Sequence, residues 1–129
     1  MVRFWSKEFF EEASELLNKD QELEKVFSGI NTTIIAECSD RNSAFLITVK
    51  NGKISSSEAR SDDKAEFRFT APYDKWVKIA QGKDKVQSEV VKGGIKFRGS
   101  MPKMLLYLSR IVRMQNKILS IFTSISLEF

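Results

Sequence analysis

The chain contains no histidine. A serine or cysteine nucleophile with an imidazole base is therefore excluded, and so is every histidine-ligated metal. Its one cysteine, Cys38, rules out an intrachain disulfide and any zinc or iron–sulfur site built on thiolates. Neither of the glycine-rich phosphate-binding patterns, G-x-x-x-x-G-K-[ST] or G-x-G-x-x-G, occurs. No run of about 18 apolar residues is present, so a transmembrane helix is not expected. Met1–Ser6 passes straight into the charged stretch Lys7 to Glu15, unlike a signal peptide. With a single cysteine as well, the expected compartment is the cytoplasm.

What remains suits one globular domain, 1–129, with no internal repeat and an apolar helical tail from about residue 101. Apolar residues make up 42% and charged residues 29% of the 129 positions, a balance that is neither disordered nor fibrous. A chain of this length buries roughly two-thirds of its unfolded surface, so it needs no disulfide or metal to fold. The formal net charge of +4 is unevenly spread. Residues 1–74 carry 10 Lys/Arg against 14 Asp/Glu, whereas residues 75–117 carry 11 against 2. Such a basic segment attracts phospholipid headgroups, nucleic acid or an acidic protein, or is merely a solvated face with strand-edge lysines.

Local patterns divide the chain into elements. Ser6 is a helix N-cap, and Phe9, Phe10, Ala13, Leu16 and Leu17 follow the spacing of a core-facing stripe. A second short helix carries Leu23, Val26 and Phe27 and stops at Gly29. Thr33–Cys38, Ser43–Lys50, Lys53–Ala59 and Ala65–Ala71 alternate as strands. Asn51-Gly52 is a hairpin turn, and the serine-rich Lys53–Ala59 suits an edge. These four strands are expected to form a meander. Pro72 starts a helix carrying Tyr73, Trp76, Val77 and Ala80, which ends near Gly82. Asp84 is expected to cap a further helix with Val86, Val90 and Val91, and Ile95–Gly99 reads as a fifth strand. Beyond Met101 the apolar stripe is too broad for a helix with one covered face.

The stretch Phe67 to Met101 resembles the sterol carrier protein-2 family. The resemblance rests on Phe67-Arg68-Phe69-Thr70, Trp76, Gly82-Lys83 and the two valine pairs. It closes with Gly94-Ile95-Lys96-Phe97-Arg98-Gly99-Ser100-Met101. With the first helix and the strands it extends over about residues 6–115. It implies an α+β fold, a five-stranded mostly antiparallel sheet with helices covering one face. A hydrophobic tunnel for a lipid or acyl chain is implied between sheet and helices. Ser100 stands where the family often has an acidic or amide residue, and the C-terminal region is more apolar than the family's.

The residue pattern supplies candidates for that cavity. Phe45, Ile47, Phe67, Phe69 and Phe97 fall on inward strand faces. Trp76, Met101, Met104, Leu105, Leu108, Ile111 and Val112 lie on the helices expected to face them. The flexible thioethers suit an adaptable apolar site. The same residues also suit a solid core, and sequence alone leaves both readings open.

Catalysis finds no support. Glu11, Glu12 and Glu15 share a helix face, but a solvated first turn accounts for them. Cys38 sits on an inward strand face, where thiols are inert. No cofactor is expected. The expected partner is a hydrophobic small molecule or lipid, with Arg110, Arg113 and Lys117 reaching an anionic membrane. The alternative is an interaction subunit that dimerises or docks through the tail, with Ile118, Phe122 and Ile125 as the seam. Nucleic-acid binding ranks last, because Trp76 falls on an apolar face and no recognition motif is present.

Overall fold

Capping residues fix the first helices. In the computed structural model, which describes residues 1–129, β1 (Val2–Arg3) leads into α1 (Lys7–Lys19). The Ser6 hydroxyl accepts a hydrogen bond from the Phe9 N–H, and Glu8 stands at the positive helix end. Asp20 then caps α2 (Gln21–Phe27), accepting from the N–H groups of Glu22 and Leu23. The helix stripe is buried at Phe9, Phe10, Ala13, Leu23 and Phe27.

The sheet begins with β2 (Thr32–Cys38), β3 (Ser43–Lys50) and β4 (Lys53–Ala59), each antiparallel to the next. Asn51 and Gly52 turn the β3–β4 hairpin with φ of 51° and 80°, the two positive values of a type I′ turn. The next strand, β5 (Phe67–Ala71), corrects the expected four-strand meander. It lies parallel to β2, with Ile34 opposite Phe67 and Ala36 opposite Phe69. β6 (Lys96–Arg98) then pairs antiparallel with β5, giving the order β4-β3-β2-β5-β6. Only the β2–β5 pairing is parallel, so the sheet is mostly antiparallel, as expected.

The physical reason is burial. A strand carrying Phe67 and Phe69 gains more beside the central β2 than beside β4, which is polar and already closed by α1. The β3–β4 hairpin thus serves as the crossover that a parallel pair requires. Arg68 pins the returning segment by donating to the carbonyls of Ser61 and Asp63, at 3.2 and 2.7 Å.

The edge of β4 is closed by a side chain acting as a strand. The Asn18 amide donates to the Ile54 carbonyl at 2.7 Å, and its oxygen accepts from the Ile54 N–H at 2.8 Å. Asn18→Ala should therefore lower the unfolding free energy by about 1–3 kcal/mol, since both Ile54 groups lose their partner. An unchanged denaturant midpoint would show that water replaces the amide at no cost.

The remaining helices are α3 (Tyr73–Ala80), α4 (Val86–Lys92), α5 (Met101–Ile111) and α6 (Gln115–Ser124), with a 3-10 turn at Val112–Met114. Asp84 is not the cap of α4, whose N-cap is Lys85 without a side-chain bond. Asp84 instead meets Lys75 at 2.9 Å, and Lys75 also meets the nearly buried Glu89 at 2.6 Å, so one ammonium joins α3 to α4. The Lys75 ammonium is pushed up to about 12 by Glu89 and then Asp84.

The broad tail stripe is explained by its break at the 3-10 turn, which lets α5 and α6 use different faces. Phe122 reaches Phe9, with ring centroids 5.9 Å apart, and Ile125 is buried. Ile118 packs against the cluster formed by Leu23, Phe27, Ile30, Val49 and Ile54. Of the three seam residues of the docking alternative, Ile125 is buried, and Phe122 and Ile118 are half-buried against the molecule's own core. A last strand, β7 (Leu127–Glu128), pairs in parallel with β1 and ties the two ends together. No helix is long and apolar enough to cross a membrane.

Candidate ligand-binding site

The helix-facing side of the sheet is apolar in four successive strands. It presents Ile54 on β4, Ile47 and Val49 on β3, Ile34 on β2, and Phe67 and Phe69 on β5. α5 lies opposite and turns Met104, Tyr107, Leu108 and Ile111 toward them, the i, i+3, i+4, i+7 spacing of one helix face. Leu17, Phe27 and Ile30 close the space from the α1–α2 side, and Thr32 completes the wall. Between these layers is a half-enclosed cavity of about 200 Å³ whose exposed wall is entirely apolar.

Polar contacts at both ends hold α5 over the sheet. Ser100 caps its first turn by accepting from the Lys103 N–H. Gly99 precedes it at φ 133°, where an added Cβ would lie 2.7 Å from the Glu66 carbonyl oxygen and 2.8 Å from the Phe67 ring. Only glycine lets the chain pass this close to β5. Lys103 reaches Glu66 at 2.6 Å, and near the other end Arg110 donates to the Ser28 carbonyl at 2.9 Å.

A second apolar groove, of about 180 Å³, lies behind α5 against α6 and the segment Asp84–Gln87. Leu108 and Ile111 belong to the walls of both spaces. They are the partition between them.

Of the residues expected to line a cavity, the structure brings together Ile47, Phe67, Phe69, Met104, Leu108 and Ile111. Val112 lies on the second groove instead. Phe45 is stacked on Phe10 at 4.2 Å and Trp76 on Trp5 at 4.9 Å, both within the solid aromatic core. Phe97 packs against Phe67 and Phe69 but stays off the cavity wall. Met101 and Leu105 point outward and are 39% and 43% exposed, because the face of α5 that meets the sheet is the one carrying Met104 and Leu108. The wall residues Leu17, Phe27, Ile34, Val49 and Tyr107 fall on apolar positions of the expected helices and strands. Ile54 lies on the strand read as a polar edge, and Ile30 and Thr32 lie between expected elements, so these three carried no such signal.

The basic residues expected to meet a membrane divide in the same way. Lys117, one of the three cations expected to reach a membrane, is engaged by Asp20 at 2.9 Å and Glu22 at 3.3 Å. Arg110 is exposed despite its bond to Ser28, and Arg113 is exposed with no carboxylate within ion-pair distance. Both lie at the C-terminal end of α5, whose exposed apolar residues are Met101, Leu105 and Leu106, with Val112 following in the 3-10 turn.

Cys38 is completely buried, and that burial, followed by its contact with Asp40, pushes the thiol up to about 12. It is a protonated, small apolar group at neutral pH. Glu11 lies at the surface 3.9 Å from Lys7. No three of the cysteine and carboxylate side chains are grouped to hold a metal ion.

Residues 10–109 match the SCP-2 sterol transfer family. This chain belongs to that family. The matched SCP-2 span contains every cavity-wall residue except Ile111. Among solved structures, a conserved hypothetical protein from Thermus thermophilus, described as possibly a sterol carrier protein, superposes with a TM-score of 0.78 at 11% identity, covering 99% of this chain and 93% of that one. A crystal structure of sterol carrier protein 2 gives 0.75 at 12% identity, covering 90% and 96%. Sterol Carrier Protein-2 from Aedes aegypti, solved in complex with the C16 fatty acid palmitate, gives 0.53 at 18% identity, covering 89% and 94%. At these identities the likeness is one of fold. A search of curated proteins gives no match.

Proposed function

We propose that this protein binds the apolar part of a lipid or acyl chain between the sheet and α5, and carries it without chemical change. The observation that carries the reading is the apolar-walled cavity of about 200 Å³ between the two layers of an SCP-2 fold. The fatty acid in the Aedes aegypti relative supports the same class of ligand. A closed cavity of about 150 Å³ already accepts a small aromatic molecule, and pockets for larger ligands run to about 300–1,000 Å³. A long chain therefore fits when Leu108 and Ile111 swing aside and the cavity and the groove behind α5 become one tunnel. Burial is worth about 0.8 kcal/mol per methylene. A twelve-carbon segment thus gains about 10 kcal/mol gross, of which ordering costs consume half or more.

Loading and release take place at a membrane through the outer face of α5. Met101, Leu105, Leu106 and Val112 enter the headgroup region while Arg110 and Arg113 meet anionic lipid. The test is organic extraction of the purified protein followed by mass spectrometry, with vesicle sedimentation beside it. A near-stoichiometric lipid is expected, and binding to anionic rather than neutral vesicles that weakens as salt is added. A blank extract together with no uptake of a fluorescent acyl chain would sink the carrier reading. Equal binding to both vesicle types would sink the role of the arginines.

A further inference from the structure

The apolar cavity has a polar neighbour. Thr32 and Val49 belong both to its wall and to a shallow basin of about 380 Å³ at the end of the sheet where β2 begins and β3 ends. The rest of the basin is polar: Asn31, Thr33, Thr48, Lys50 and Glu66. At the junction the Thr32 hydroxyl donates to Glu66 Oε1 at 2.5 Å, and Glu66 Oε2 accepts from Lys103 Nζ at 2.6 Å. Lys103 is one turn before Tyr107 on α5, with its ammonium 5.8 Å from the Tyr107 ring centroid. The helix that walls the cavity therefore also delivers a cation to its rim.

The charges at this rim do not cancel. Lys103 and Glu66 neutralise each other, whereas Lys50 has no carboxylate within ion-pair distance. The excess is one positive charge. Lys103, followed by Thr32, holds the Glu66 carboxyl below the usual range, so it is ionised at neutral pH. The two side chains are 43% and 33% exposed. An ion pair this accessible to water is weak, and replacing its carboxylate by another anion costs little.

Resting on the lipid-binding reading above, we infer that this basin is the head subsite for an anionic amphiphile whose chain lies in the cavity. Lys50 and Lys103 are its counter-charges, and Glu66 is the internal anion that the incoming carboxylate or phosphate displaces from Lys103. The juxtaposition explains why an ion pair stands at the mouth of an apolar space. It keeps Lys103 in place over the rim when no ligand is there.

The test is calorimetric titration at pH 8 with four probes sharing one chain: dodecanoate, dodecyl phosphate, dodecanol and dodecyltrimethylammonium. The anionic pair should bind about three- to tenfold more tightly than dodecanol, with the cation weakest. Whichever anion is tighter identifies the preferred head, and either order supports the subsite. Lys103→Gln should abolish the preference and Lys103→Arg should retain it. Glu66→Gln should raise anion affinity about threefold, from loss of the competing carboxylate, and leave dodecanol within about twofold. Lys50→Gln touches no internal partner, so it tests the same charge without disturbing the fold, and should remove part of the preference. Equal affinity for all four heads, or variants that move dodecanol as far as dodecanoate, would overturn the head subsite alone. Failure of every probe to bind would overturn the cavity reading on which it rests.

Discussion

Trp76→Ala should remove about 3–5 kcal/mol of folding free energy, more than any surface substitution in this chain. Trp76 is 8% exposed, stacked on Trp5 at 4.9 Å, and its indole N–H donates to the Glu37 carbonyl at 2.9 Å. Truncation leaves a cavity at the centre of an aromatic group in which Trp5 also meets Phe10 and Phe45. It also releases Trp5, a bulky residue held at φ 58°, a backbone conformation that only tight surrounding packing sustains. A domain of this size has about 5–15 kcal/mol in total, so the variant should be close to unfolding at 37 °C. Trp76→Phe keeps a six-membered ring on Trp5 while removing the donor to Glu37 and the rest of the indole's volume. It should cost less than half as much in a urea titration. Equal losses in the two variants would place the stability in the hydrogen bond rather than in the stacking.

The same tryptophan marks where sequence reasoning stopped. Its burial was legible, because Tyr73, Trp76, Val77 and Ala80 share a helix face. Its neighbour was not. Trp76 reads equally well as cavity wall or as core, and only the position of Trp5 above it makes it core. Local signals served best where a few adjacent residues decide the outcome. The Ser6 cap and the Asn51-Gly52 turn are both of this kind. The position of β5 depends instead on a comparison between two distant edges. Ser55–Ser57 on β4 hinted that β4 was an outer strand, but nothing near Phe67 says that β2 is its partner.

Charge was legible in sum and not in arrangement. The excess of lysine and arginine from 75 to 117 suggested a broad anion-attracting surface. Part of it is answered from within: Lys75 by Asp84 and Glu89, Lys103 by Glu66, Lys117 by Asp20 and Glu22, whereas Lys78, Lys83, Lys85, Lys96, Arg98, Arg110 and Arg113 pair with no carboxylate. The acidic first half and the basic second half are thus partly complementary halves of one molecule. Among the unpaired cations, Arg110 and Arg113 are the two at the end of α5, the helix that exposes Leu105 and Leu106. The broad apolar tail has the same resolution, since a break after Ile111 divides its faces between the cavity and α1.

Leu108→Trp is the substitution with the largest expected effect on binding. Leu108 faces both the cavity and the groove behind α5, so an indole there fills the space and blocks the passage between them. A bound chain that buries four fewer methylenes loses about 3 kcal/mol, a fall in affinity of more than about a hundredfold. Stability supplies the control. An enlarged side chain forced into a filled core costs about 1–3 kcal/mol, whereas one that enters an existing void costs almost nothing. Acyl-chain affinity and the urea midpoint measured on the one variant therefore test the cavity twice. Lost binding with an unchanged midpoint is the expected pair. Retained binding with a lowered midpoint would mean that α5 and the sheet enclose ordinary core, and that the ligand sits elsewhere. Leu105→Trp is the matched comparison. Leu105 is 43% exposed and stays off the cavity wall, so its indole should leave binding within the cavity almost unchanged and strengthen attachment to vesicles.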